Sequence, residues 1–484
     1  MRMALFSPLS PLKTAVADHV EGLLPYLSEF ADVDLFIDDG YAPNSPAVVG
    51  KLAVHSFREF PALASGYDVT IYHMGNEPTF HGYIFRMLQK YHGIVVLHDL
   101  VLHHCILGLT LAKGDVEGYL NEMRYAYGKE GEVVAAQIMS GRGLELQYRY
   151  PLMERVLDNS RGVIVHNDYA RQQLLARRPG LNVAHIGQHF FLPEGVALGP
   201  DGDAPVRAES PTGRDGLREQ LGLRGRFVVG TYGLLIPDKR LNVALRAFAR
   251  FRRNHPQAVY LLVGPIAQEH DLTSLVQSLG LQDAVRMTGW QDPASFVRHM
   301  CVADLAVHLK YPHVGGTPYT PIRLLGLGVP TIISDIEPLA EIPADCCARV
   351  DPEGNEEEEL LATLEYLATH EETRRQMAEN GRRYIQAEHN PRKIAQEYQR
   401  FIEATLAGQP AGVSGGSLAA SRSAPAGHLA PSSSRPEREW QQRLIEDVGA
   451  VLADWGVQAD QEHLLRPIAE AIASLELGPQ GGDA

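Results

Sequence analysis

Cysteine is scarce in this chain. Cys105, Cys301, Cys346 and Cys347 are the only four, and none stands in a C-x-x-C pair. The spacing gives no dithiol or zinc-ribbon motif, and on an acidic, enzyme-like background the four read as buried structural thiols in a reducing cytosol. Long apolar runs are also missing: none approaches the roughly 18 residues a membrane span requires. The N-terminal MRMALFSPLSPL turns polar and proline-rich too early for a signal peptide. The expected location is cytoplasmic, with peripheral contact at the inner membrane face the one membrane association left open. Positive charge is in deficit, 44 Lys and Arg against 59 Asp and Glu, for a net charge of -15. Such a chain is a poor general polyanion binder, so no nucleic-acid partner is expected, although a local basic patch at a phosphate site is allowed. No repeat recurs at solenoid periods.

What is present is a chain of 484 residues, too long for one hydrophobic core. Short, β-branched apolar runs read as buried strands: Met3 to Phe6, Val33 to Ile37, Val69 to Tyr72, Ile94 to Leu97 and Val163 to Val165. Amphipathic stretches such as Val16 to Phe30 lie between them. This alternation predicts an α/β fold with a parallel, doubly wound sheet. A Pro/Gly/Asp-rich stretch follows, and then the pattern restarts. Phe227 to Gly230, Val259 to Val263, Ala284 to Met287, Leu305 to Leu309 and Thr331 to Ser334 form the second strand set, with a helix over Leu241 to Phe251. The expected domains are 1–192, a linker over 193–224, and a second Rossmann-like domain over 225–407 whose end, from Glu356 to Leu406, is mostly helical. An Ala/Gly/Pro/Ser-rich flexible linker is expected over 408–436. A helical hairpin over 437–477 would dock or self-associate. Two such sheets facing each other put donor and acceptor on opposite walls of one cleft, because open α/β sheets bind ligands at the carboxyl ends of their strands.

The most informative stretch runs from His308 to Asp335, HLKYPHVGGTPYTPIRLLGLGVPTIISD. A strand ends near Lys310, a loop carries Gly315, Gly316 and Thr317, and a helix starts near Pro321. Backbone N–H groups at a helix start favour an anion, and the glycines allow close approach of a phosphate. The plainer alternative is one more αβ turn.

The order of these segments resembles the family 4 retaining glycosyltransferases, which have the GT-B fold. The resemblance rests on the donor loop just described and on Gly328-Val329-Pro330 entering the next strand. It rests also on Gly230-Thr231-Tyr232-Gly233 with Asp238-Lys239, on Leu262-Val263-Gly264, on Met287-Thr288-Gly289-Trp290 and on Glu341-Ile342. In the first half, Ser10-Pro11 through Thr14 to Asp18 resembles the family's first loop, and Val95 to His98-Asp99 its strand-end histidine. The resemblance covers residues 1 to about 405. It implies two tandem Rossmann-like domains facing a cleft, here with a C-terminal helical extension. It implies a hexosyltransferase of polysaccharide or glycoconjugate biosynthesis. That enzyme moves a hexose from a nucleotide diphosphate sugar to an acceptor hydroxyl of a carbohydrate or lipid-linked acceptor, with retention and without cofactor or metal.

The resemblance implies His98 and Lys239 as catalytic. Gly233, Lys239, Gly264, Trp290, Gly315, Gly316, Thr317, Arg323 and Glu341 would bind the donor. Lys239 would neutralise the pyrophosphate leaving group, with a solvated surface lysine as the alternative. His98 would orient the sugar rather than act as a base; a hydrogen-bonded core histidine is the alternative. Thr14, His73, Asn76 and Glu77 are acceptor-side candidates, or ordinary loop polar residues. Metal ligation by His98, Asp99, His103 and His104 is the weaker reading, because nothing nearby completes a ligand set.

The departures from the family are specific. Relatives carry two glutamates eight residues apart, the first on the donor sugar and the second on the ribose. Gly315 or Gly316 and Arg323 stand there instead. Leu234 replaces an arginine. An arginine accepts no hydrogen bond, so Arg323 is expected to have become a phosphate contact. The missing pair motivates a second reading, a catalytically silent sugar-binding or scaffold subunit. A sugar-nucleotide epimerase of the same fold is a third; such enzymes usually carry acidic and histidine clusters in the cleft, and the sequence does not display one plainly.

Overall fold

The computed structural model describes residues 1–409 except 144, 194–195, 199–204, 207–212 and 268–270. The expected linker over 408–436 and hairpin over 437–477 therefore lie almost wholly outside the described residues.

The first sheet has seven strands: β1 (Arg2–Phe6), β2 (Asp32–Ile37), β3 (Ala53–Ser56), β4 (Val69–Met74), β5 (Gly93–Leu97), β6 (Ser160–Val165) and β7 (Val183–His185). Their order is β3-β2-β1-β4-β5-β6-β7 and every pairing is parallel. After a short antiparallel ribbon of β8 (Ala197–Leu198) and β9 (Pro205–Val206), the second sheet begins. It holds β10 (Phe227–Tyr232), β11 (Ala258–Val263), β12 (Val285–Gly289), β13 (Leu305–His308), β14 (Thr331–Ser334) and β15 (Ala348–Val350). Its order is β12-β11-β10-β13-β14-β15, again all parallel.

Parallel strands covered on both faces must be largely apolar, which is why β5 and β11 read as continuous hydrophobic runs. One face of the first sheet packs Phe6, Phe36, Tyr72 and Val95 under the helix Pro78–Leu88. The other packs Met3, Leu5, Ile71 and Val96 under the helix Ala15–Leu27. In each sheet the strand order reverses beside one strand: between β1 and β4 in the first, between β10 and β13 in the second. Loops leaving those carboxyl ends diverge and open a crevice. These are the loops after Phe6, Met74, Tyr232 and His308.

Two expected boundaries need correction. The linker does not run to 224, because the helix Arg214–Gln220 already belongs to the second domain. Leu217 and Leu223 pack with Val228 and Met300, and Arg214 and Arg218 reach Asp304 at 2.7 and 2.9 Å. The second domain also does not keep the whole stretch to 407. The helix Pro391–Leu406 returns to the first sheet, where Ile394, Tyr398, Phe401 and Ile402 join Met3, Val20 and Leu24. Its apolar stripe matches a face that the helix Ala15–Leu27 leaves open, and sequence periodicity says nothing about which sheet a stripe will meet.

Candidate functional site

The first-domain wall is built from strand ends and helix starts. Thr14 caps the helix Ala15–Leu27 by accepting the Val16 N–H at 3.3 Å. Glu77 caps the helix Pro78–Leu88 by accepting the Thr79 N–H at 3.0 Å. Asn76 is fixed between them: its Oδ1 accepts the Cys105 N–H at 3.0 Å and its Nδ2 meets His104 Nδ1 at 3.2 Å. His98, just beyond β5, shares a 3.1 Å hydrogen bond between its Nε2 and His73 Nδ1. Next to it, Asp99 Oδ2 accepts the Asn76 N–H at 3.0 Å. His73 is completely buried, so this acceptor-side candidate reaches the cleft only through His98. Both ring nitrogens of His103 are used, on the Tyr150 carbonyl and the Tyr119 hydroxyl, so neither is left for His98 or Asp99.

The second-domain wall follows the same logic. Gly264 lies under the carbonyl of Gly233; with φ at 138°, a Cβ there would come within 2.0 Å of that oxygen. The two glycines let the ends of β10 and β11 close tightly, and Lys239 folds back over them. Its Nζ donates to the Tyr232 carbonyl, and it has no carboxylate partner among the described residues. Burial, together with the neighbouring Lys310, pulls its pKa down to about 7. Lys310 itself is paired with Asp238 at 3.0 Å. His308 beside them is buried with both ring nitrogens unbonded, and the two lysines add to the burial that lowers its pKa.

The Gly315–Thr317 loop meets the first domain directly. Leu100 N–H donates to the Val314 carbonyl at 2.8 Å, and Asn167 Nδ2 donates to Gly315 O at 3.1 Å and Thr317 Oγ1 at 2.9 Å. Thr317 Oγ1 in turn donates to the His166 carbonyl, and Gln188 Nε2 holds Thr317 O at 2.8 Å. A cavity of about 250 Å³ lies at this seam, lined by Thr14, Asn76, Glu77, His98, Asp99, Thr317 and Tyr319. A larger cavity of about 440 Å³ sits at the opposite, amino ends of β4 and β5, beside Val69, Thr70 and Gly93. It has no strand-end loop or phosphate-binding element, so the seam is the candidate site.

Three expected donor contacts sit otherwise than a donor contact alone requires. Arg323 is buried over the rings of Tyr319 and Phe191, and its guanidinium reaches Asp18 of the first domain at 3.5 Å. Glu341 accepts the Asp168 N–H and pairs with His185 at 3.3 Å. Trp290 is half exposed and carries Lys13 Nζ 4.3 Å from its ring centre, a cation–π contact between the two domains.

The sequence pattern did not announce a cluster of imidazoles behind the cavity. His19 lies with ring centres 4.8 to 5.8 Å from those of His189, His166, His98 and His73. All five are buried, and both nitrogens of His19 and His189 lack partners. Burial lowers every one of their pKa values, His166 to about 4 and His189 to about 3, so the cluster is neutral at pH 7. They come from one helix and from the ends of four strands or the loops after them, so only the signal "histidine after an apolar run" was available, and it singled out His73 and His98. Among the described residues no group of three or more His, Cys, Asp or Glu is arranged to hold a metal ion.

Comparison with known proteins places this geometry. Residues 214–384 match the family model described as glycosyl transferases group 1. The chain is 24% identical over 263 residues to the alpha-D-kanosaminyltransferase of Streptomyces kanamyceticus, covering 52% of this chain and 65% of that protein. It is 28% identical over 122 residues to an exopolysaccharide phosphotransferase of Streptomyces coelicolor, covering 25% of this chain and 12% of that protein. The matched part thus spans less than two thirds of either relative. Among solved structures, sucrose-phosphate synthase of Thermosynechococcus elongatus superposes with a TM-score of 0.57 at 19% identity, over 84% of this chain and all of that one. HepE of Anabaena in complex with UDP-glucose gives 0.57 at 16% identity, with the same coverage. These likenesses establish the glycosyltransferase GT-B fold: two parallel-sheet Rossmann-like domains. No helix among the described residues is long and apolar enough to cross a membrane.

Proposed function

We propose that this chain is a retaining hexosyltransferase of family 4. It takes a hexose from a nucleotide diphosphate sugar and passes it to an acceptor hydroxyl of a carbohydrate or lipid-linked acceptor in polysaccharide or glycoconjugate synthesis. The carrying observation is Lys239, a buried amine with no carboxylate partner among the described residues and a pKa pulled down to about 7, beside the glycine strand ends. Burying a cation unpaired is costly, and a pyrophosphate would supply the missing partner. The match of residues 214–384 to glycosyl transferases group 1 and the UDP-glucose of the similar HepE structure support the same reading.

In this account the pyrophosphate lies between Lys239 and the Gly315–Thr317 loop, at the amino end of the helix Tyr319–Gly326. The base lies toward Trp290, and the acceptor enters past Thr14, Asn76 and Glu77. The bond from the anomeric carbon to the phosphate oxygen breaks and its electrons pass to the leaving pyrophosphate. Lys239 stabilises the charge that develops there. The acceptor oxygen bonds to the same face of the sugar, and its proton passes to the leaving phosphate oxygen, so no carboxylate base is required. His98 orients the sugar; with its pKa held far below neutral by burial and its histidine neighbours, it works as a neutral imidazole.

One observation favours a second reading, the catalytically silent subunit. Arg323 and Glu341 already hold first-domain partners, so two expected donor contacts are spent on closing the domains. Incubation with UDP-, GDP- and ADP-sugars separates the readings. Slow nucleotide release from one of them is expected, whereas binding without release from any would favour the silent subunit.

A further inference from the structure

We propose that Asp99 is the carboxylate that holds the hydroxyls of the transferred sugar, in the cavity between the domains, where the bare backbone of Gly316 lets the donor loop close against it. The inference rests on the donor reading above and adds the group that recognises the sugar.

Asp99 follows His98 at the carboxyl end of β5 and lines the cavity between the domains. One of its oxygens, Oδ2, is pinned by the Asn76 N–H at 3.0 Å. Asn76 is itself locked by Cys105 and His104, so the carboxylate has a fixed direction. The other oxygen, Oδ1, accepts no hydrogen bond among the described residues. It lies 3.0 Å from the point a Cβ on Gly316 would occupy, and that Cβ would be only 1.9 Å from the His98 carbonyl. The seam therefore closes only over a residue without a side chain, and the carboxylate facing the glycine loop comes from the opposite domain.

The other carboxylate of the cavity, Glu77, caps its helix through Oε1 and also keeps one oxygen free, but its side chain is exposed, whereas Asp99 is half-buried and fixed by Asn76. Asp99 keeps one oriented, unbonded oxygen, the acceptor that a sugar hydroxyl needs. Burial raises its pKa to about 6, with the Asn76 N–H and the charge of Lys310 opposing, so at pH 7 it is mostly a carboxylate. A hydrogen bond from a sugar hydroxyl to a charged acceptor carries about tenfold or more in affinity.

Calorimetric titration of wild type and Asp99→Asn with three pairs tests this: UDP and UDP-glucose, GDP and GDP-mannose, ADP and ADP-glucose. For the pair that binds, the nucleoside diphosphate is expected to bind both proteins equally, which also certifies the fold of the variant. The sugar nucleotide is expected to bind Asp99→Asn about tenfold or more weakly. Equal affinity of both proteins for the sugar nucleotide would remove Asp99 from the sugar site and leave the donor reading intact. Parallel loss for the bare nucleotide would overturn the assignment too, by placing the effect on the nucleotide or the fold. Failure of all six compounds to bind wild type would overturn the donor reading and this inference with it.

Discussion

Lys239 is the residue on which donor chemistry turns. With a pKa near 7, its amine is largely neutral at pH 8 and largely charged at pH 6. An anion beside it favours the charged form, so donor binding at pH 8 is expected to take up close to one proton, and at pH 6 almost none. A sugar nucleotide is a pyrophosphate diester with no phosphate group titrating near neutrality, so the uptake reports the protein. Calorimetry in buffers of different ionisation enthalpy measures it, and uptake that persists in Lys239→Ala would assign the proton elsewhere. The same substitution is expected to lower turnover by about 10²-fold or more. Lysine beside a glycine strand end could be read from the sequence, because both lie within one loop. The partner of Arg323 could not, because Asp18 is 305 positions away in another domain and only the closed fold brings them to 3.5 Å.

At the scale of elements, the central strands were legible because burial on both faces makes them uniformly apolar. The edge strands β3, β7 and β15 were not, since three or four residues with mixed burial carry no period. The helix Pro391–Leu406 was legible as a helix but not as a part of the first domain. Its Phe401 ring lies against Gly162 of β6, where a Cβ would come within 2.9 Å. Phe401→Ala is expected to cost about 3–5 kcal/mol through the cavity it leaves, measured by urea unfolding. A loss under about 1 kcal/mol would mean that this helix merely leans on the sheet.

At the scale of the whole molecule, the five clustered imidazoles tie stability to pH. Their folded-state pKa values lie below the unfolded value of about 6.5. The stability they contribute is therefore complete above that pH and is lost as pH falls toward 4, because the unfolded chain binds protons the folded chain refuses. At pH 5, His166 and His189 each forfeit about 2 kcal/mol, against a typical total of about 5–15 kcal/mol. The melting temperature is expected to drop steeply between pH 6.5 and 5 and to drop less in His189→Phe, whose ring can stack on Phe191 as the imidazole does. A flat profile in wild type would mean that the cluster is solvated in solution.

The central claim, sugar transfer from a nucleotide donor at the seam of the two domains, is met most directly by proton NMR of the purified chain incubated with UDP-, GDP- and ADP-hexoses. The expected result is release of nucleoside diphosphate from one donor class, with the sugar of the first-formed product keeping the donor's anomeric configuration, and with release falling about 10²-fold in Lys239→Ala. Tight binding of a donor with no release from any of them, in wild type and variant alike, would contradict the account.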